Sequence, residues 1–169
     1  LLNAMKNRVI EGDTLFRQGD IAGAEAKYRE ALDLMPVDGA AQSAVERIQG
    51  RLEDVERHRE RAESALEAKD LDQAQASLAE AIAADPSDSR THSLLERMRT
   101  QEADLREGLA EALASFSSGR FDEGLSRLAS LASEYPQAKE IPEAIESARA
   151  LSDLGGRFLT RVAPVSAMY

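Results

Sequence analysis

The chain has 169 residues, of which 31% are charged and 43% hydrophobic, a net charge of −10 and no cysteine. Disulfides, thiolate zinc sites and cysteine nucleophiles are therefore excluded. The acidity argues against nucleic acid, which needs clustered Lys and Arg, and against an anionic membrane surface.

Aromatic residues make up only 4% and Trp is absent. Thin cores of Ala and Leu suit closely packed helices. Runs of strand formers are nearly absent before residue 157. No apolar run approaches the ~20 residues that span a bilayer, so direct membrane insertion of this segment is not expected. The compartment stays open, because a cysteine-free chain can fold in any redox environment.

The first predicted helix covers 1–18, with Met5, Val9, Gly12 and Phe16 on its apolar side. Gly19 ends it, where a left-handed residue is needed. A short helix follows over 21–35 and stops at Pro36. Residues 38–69 contain no Pro and one internal glycine, Gly50. Ala41, Val45, Ile48, Leu52, Val55, Ala62 and Leu66 recur there in steps of four and three, with Arg59 as the one break. This predicts a single long helix with a narrow apolar seam. Its first half is expected to cover the preceding short helix, and its second half to pair with the following one. A second short helix covers 72–84 and ends before Pro86. A second long helix covers 88–118, with Leu95, Met98, Leu105, Leu109, Ala112 and Phe116 in the seam. A third short helix covers 122–134, before Pro136. The helix over 140–154 repeats the first half of a long one and stops at Gly155-Gly156.

Pro36, Pro86 and Pro136 are spaced by 50, and the segments before them align without gaps. Gly19, Lys69 and Gly119 fall in one column, then Ile21, Leu71 and Phe121 as apolar anchors. Asp72 and Asp122 are candidate caps for the short helices. Ala24, Ala74 and Gly124 are small enough for close helix approach, and Tyr28, Leu78 and Leu128 are the large residues one turn on. These three are expected to be buried against the helix before them.

The recurring pattern resembles the second half of the tetratricopeptide repeat: a glycine turn, an apolar residue, a small residue, an aromatic, an alanine and a proline. The resemblance implies an all-α, open solenoid-like array of three hairpins. Its units lie at about 1–36, 37–86 and 87–136, with a capping helix at 137–154, all in one domain over 1–154. The tail over 155–169 fits no repeat. The family's usual period is about 34, so each unit here is longer by roughly 16 residues. The first half also departs from the family. Arg8, His58 and Gly108, then Glu11, Arg61 and Glu111, stand where it has large apolar residues. The start at Leu1 and the shortened first seam read as a segment of a longer protein.

Chemistry-bearing patterns are sparse. His92 and Glu96 are one turn apart, a ligand spacing, but both His58 and His92 read as surface residues. Gly119 and Gly124 bracket a helix turn without the Lys and Ser/Thr of a phosphate loop. Glu53–Arg57 and Glu102–Arg106 read as surface pairs worth ~0.3 kcal/mol each. Ser64, Ser77 and Ser115 have no histidine base in evident reach. No catalytic residue, metal site or cofactor is expected.

Some tetratricopeptide domains clamp a peptide's C-terminal carboxylate. The corresponding positions here are Val9 and Asp13, Arg59 and Glu63, and Leu109 and Leu113. Only Arg59 suits that role, so the clamp is not expected. The expectation is instead a protein-interaction scaffold that binds another protein, as a peptide or helix, along the repeat surface. The candidate partner-binding face is Arg59, Glu63, Leu66, Leu109, Leu113 and Phe116. Phe158, Leu159, Val162, Val165 and Met168 form an apolar tail that could occupy it from within the chain. The alternative is a structural spacer between flanking domains, or a module that self-associates through the seam as a coiled-coil homodimer.

Overall fold

The helix ends are written in the local hydrogen bonding of a computed structural model, which describes residues 1–150. Helix α1 (Leu2–Gln18) closes at Gly19, whose φ of 84° lies in the left-handed region. The Gly19 N–H donates to the Phe16 carbonyl at 3.2 Å and the Asp20 N–H to Leu15 at 3.0 Å. This is the paired bonding of a glycine-closed helix end. The Asp20 carboxylate then accepts from the Gly23 N–H at 2.8 Å and starts α2 (Ile21–Leu34). At the start of α3 (Gly39–Glu67), Asp38 accepts from the Ala41 N–H at 2.8 Å. Next come α4 (Leu71–Ala84), α5 (Ser89–Ser117) and α6 (Phe121–Glu134). A seventh helix, α7, begins at 140 and continues to 150, the last residue described. Among the described residues there is no strand.

All seven predicted helices are present, with ends within two residues of expectation for the six whose bounds are complete. The stretch over 151–154 and the tail over 155–169 lie outside the described residues. Gly50 does not break α3, which runs through it. The caps differ from expectation by position. Asp72 and Asp122 sit inside the first turns of α4 and α6, where a negative charge favours the helix dipole. The cap position of α6 is Arg120, whose side chain makes no cap bond.

The residues group into two compact units. One comprises Leu1–Ala65 with Gln73–Arg97, the other Leu66–Asp72 with the chain from Met98 onward. In the first unit α1 and α2 run antiparallel: Gly12 lies under the Tyr28 ring, and Arg8 is paired with Glu30 at 2.9 Å. One core cluster joins Ile21, Ala24 and Tyr28 of α2 to Ala44 and Ile48 of α3. A second gathers Met5, Ala31 and Ala41.

In the second unit α5 and α6 are antiparallel in the same register. Phe116 lies over Gly124, and Leu131 over Gly108. Its clusters are Ala112, Phe116, Leu128 and Ala148, and Leu105, Tyr135 and Ile141. Tyr28, Leu128 and Ala148 thus have counterparts 100 positions away in Leu128, Tyr28 and Ile48, and Met5 and Ala41 in Leu105 and Ile141. The short helices contribute the residues expected of them: Tyr28, Leu78 and Leu128 are all buried.

Candidate functional site

Sequence position alone put six residues on one candidate face, and burial divides them. Arg59 sits in the second half of α3 with its side chain only 12% exposed. Its guanidinium lies 3.4 Å from Asp88 and also contacts Glu56. Asp88 is itself a helix cap, accepting from the Thr91 N–H at 2.9 Å and the Thr91 hydroxyl at 2.5 Å. Burial works against the Asp88 charge. The Thr91 bonds and the Arg59 charge outweigh it and hold the carboxyl below its ordinary range. Arg59 therefore serves a structural carboxylate, and its charge is already engaged.

Glu63 is exposed and lies 3.5 Å from Arg97. Leu66 is buried, and its carbonyl accepts from the Gln101 side chain at 3.3 Å. In α5, Leu109 is half-buried and packs against both clusters of its unit. Phe116 is buried, with its ring centroid 6.1 Å from that of Phe121. Leu113 alone among the apolar members is open, at 52% exposed. Leu109 and Phe116 thus come together as core of the third hairpin, while Glu63 and Leu113 remain accessible. The proposed occupant, the tail with Phe158, Leu159, Val162, Val165 and Met168, lies outside the described residues.

The histidines differ from each other. His92 is exposed as expected, with Nδ1 2.8 Å from the Asp88 carbonyl. His58 is not a free surface residue: its side chain is only 17% exposed, and Nδ1 lies 2.7 Å from a Glu80 oxygen. That contact is off the line of a good hydrogen bond. His58 and Glu80 occupy the places that Arg8 and Glu30 occupy in the first hairpin. Of the two expected surface pairs, Glu102–Arg106 forms at 2.5 Å, whereas Arg57 turns to Asp54.

Two features escaped the sequence reading. Lys69 is a non-glycine residue with a φ of 56°, and its ammonium lies over the Tyr135 ring at 4.9 Å from the centroid. Burial opposes its charge, but the Tyr135 hydroxyl and Glu134 outweigh it, and the ammonium is held above its ordinary range. Phe16 is covered by two guanidinium groups, Arg47 at 5.7 Å and Arg51 at 5.0 Å. Neither contact is local in sequence, and no pattern in the sequence pairs these residues.

Between α6 and α7 there is a cleft of about 440 Å³ lined by Ala132, Ile141, Pro142, Ile145, Glu146 and Arg149. Among the described residues no group of three or more His, Cys, Asp or Glu side chains could hold a metal ion, and no helix is long and apolar enough to cross a membrane. Comparison of the sequence with protein-family models and with curated proteins finds no match.

Proposed function

We propose that the chain is a protein-interaction scaffold of tetratricopeptide-like hairpins, binding a peptide or helix of another protein on the outward faces. The observation that carries this reading is the contrast between core and surface. Tyr28 and Leu128, Met5 and Leu105, and Ala41 and Ile141 hold matching core places. The exposed residues at matching places do not match: Asp13, Glu63 and Leu113 occupy one column, and Arg29, Ala79 and Ala129 another. A constant packing frame with a varied exterior is how repeat arrays present binding surfaces.

A photo-crosslinking side chain at Leu113 tests the reading, with the same group at the exposed Arg29 as control. The expected result is one partner segment trapped from Leu113, which as a purified peptide binds the chain saturably and loses that binding in Leu113→Glu. Equal, unsaturable trapping at both sites would overturn it.

The 29-residue span of each long helix favours a second reading, a spacer that sets the distance between flanking domains; self-association through the seam is not favoured, because Ile48, Val55, Leu66 and Leu105 are buried within the chain. Absence of any saturable trapping at Leu113 in the folded chain would support that reading over the first.

A further inference from the structure

We propose that the three arginines around Phe16, namely Arg17, Arg47 and Arg51, form a docking site for an acidic peptide segment of another protein. This surface lies in the first unit and does not involve Leu113, so it stands or falls on its own.

Phe16 is half-buried in the last turn of α1. Arg47 and Arg51, one turn apart on α3, bring their guanidinium groups to 5.7 Å and 5.0 Å from the ring centroid. Arg51 also donates to the Ala83 carbonyl at 3.3 Å. Arg17, next to Phe16 in sequence, donates from Nε to the Asp13 carbonyl at 3.1 Å. Arg17 and Arg47 are both close enough to the Tyr28 phenol to oppose its upward pKa shift. Three positive charges therefore share one patch, two of them exposed and Arg51 half-buried.

Among the described residues none of the three makes an ion pair with a carboxylate, although the chain carries 31 Asp and Glu against 21 Lys and Arg. The second hairpin shows how such a charge is otherwise answered. There Arg97, the counterpart of Arg47, lies 3.5 Å from Glu63. The counterpart of Glu63 is Asp13, and its carboxylate accepts instead from the Tyr28 hydroxyl at 2.6 Å. Leu78, in the place of Tyr28, has no hydroxyl to make that demand. The other nearby carboxylates are also engaged: Asp20 caps the Gly23 N–H at 2.8 Å, and Asp54 pairs with Arg57. Arg17 and Arg51 have Glu67 and Gln101 as counterparts, so the second hairpin does not repeat this patch.

A guanidinium stacked on a ring keeps its in-plane N–H donors for a carboxylate. Two residues one turn apart on a helix have Cβ atoms roughly 5–6 Å apart. That spacing suits two carboxylates at i and i+4 of a partner helix, or at i and i+2 of an extended segment. Stacking also holds the forks in place beforehand, which lowers the entropy lost on binding. Nucleic acid fits worse. A duplex presents a charge about every 1.7 Å, and three arginines cannot answer that in a chain of net charge −10. A short segment brings only the carboxylates that the patch can pair, and Phe16 adds an apolar contact for the residue between them.

Fluorescence anisotropy with the full chain tests this. The probes are two labelled peptides with paired glutamates around a leucine, spaced four apart in one and two apart in the other. At least one should bind saturably, and replacing both glutamates by glutamine should weaken it about tenfold or more, as charge-assisted hydrogen bonds are lost. Arg47→Gln and Arg51→Gln should each weaken it similarly. Arg47→Glu should prefer a lysine version of the peptide to the glutamate version, a reversal that no folding defect produces. Arg106→Glu on α5, where the side chain is 73% exposed, and Leu113→Glu should leave binding unchanged. Circular dichroism checks the fold of each variant. Failure of both glutamate peptides to bind saturably would overturn the proposal, as would equal binding of the glutamate and glutamine forms. Equal loss in Arg106→Glu would reduce the effect to bulk charge and overturn it too. Loss in Leu113→Glu but not in Arg47→Gln would move the peptide to the other surface, leaving the scaffold reading intact and this site refuted. An oligonucleotide that binds more tightly than either peptide, and is lost in Arg47→Gln, would make nucleic acid the occupant instead.

Discussion

Side-chain volumes in the hairpins are traded across the helix pair, one residue against another. Gly12 faces Tyr28, and a Cβ on Gly12 would fall 2.7 Å from the ring. The ring cannot simply swing away, because its hydroxyl donates to Asp13 at 2.6 Å. Burial, with that bond second, pushes the Tyr28 phenol up to about 12. In the other two hairpins the same pair of positions holds Ala62 with Leu78 and Ala112 with Leu128, all buried. Gly12→Ala should therefore destabilise despite a gain of about 1 kcal/mol in helix propensity, since overpacking a closed site costs roughly 1–3 kcal/mol. Tyr28→Leu in the same molecule should relieve that cost by recreating the Ala–Leu pair. A double-mutant cycle by urea unfolding measures it. Additive effects of the two substitutions would mean that the volumes at these positions are independent.

The helices themselves were legible because their signals are local. Proline spacing, the steps of four and three in the seam and the Gly19 and Gly119 stops all act within one turn, and they set the bounds of α1 to α6. Lys69 in the left-handed conformation was not legible, because the reasons it is tolerated, Tyr135 and Glu134, lie more than 60 positions away. The candidate face was legible only as a stripe. Periodicity places Leu66 on the apolar side of α3, and Leu109 and Phe116 on that of α5, but whether another helix covers those sides is a tertiary fact, and for these three burial answers it. The cap of α5 gives a test at this scale. The Asp88 carboxyl is held below its unfolded value, so between the two values the unfolded chain binds the extra proton. The stabilisation is thus fully present above the ordinary carboxylate range and drains away as pH falls through the folded value. Asp88→Ala should cost about 1–2 kcal/mol at neutral pH. Asp88→Asn, which keeps a cap acceptor, should lose less there and should flatten the acid limb of stability against pH. An acid limb identical in wild type and Asp88→Asn would show that Asp88 does not carry it.

For the molecule as a whole, the physical question is where unfolding begins. In a linear series of hairpins, each hairpin draws stability from its own packing and from its immediate neighbours, so the hairpins at the ends have fewer partners. The middle hairpin, with Leu78, Ala74 and Ala81 all buried in α4, is the one with a hairpin before it and another after it in sequence. Leu1, just before α1, and Leu2 and Ile10 within it are exposed, apolar surface from which folding has gained little. Native-state hydrogen exchange should therefore protect the amides of α4 and the second half of α3 most. The first two turns of α1 and the helix over 140–150 should open at the lowest free energy. Leu78→Ala should cost about 2–4 kcal/mol, because its site is closed, and should lower protection in α4 more than in α1 or α6. Uniform exchange along the chain, with Leu78→Ala lowering every helix equally, would instead describe one all-or-none cooperative unit. The nearest-neighbour account of this fold would then fail.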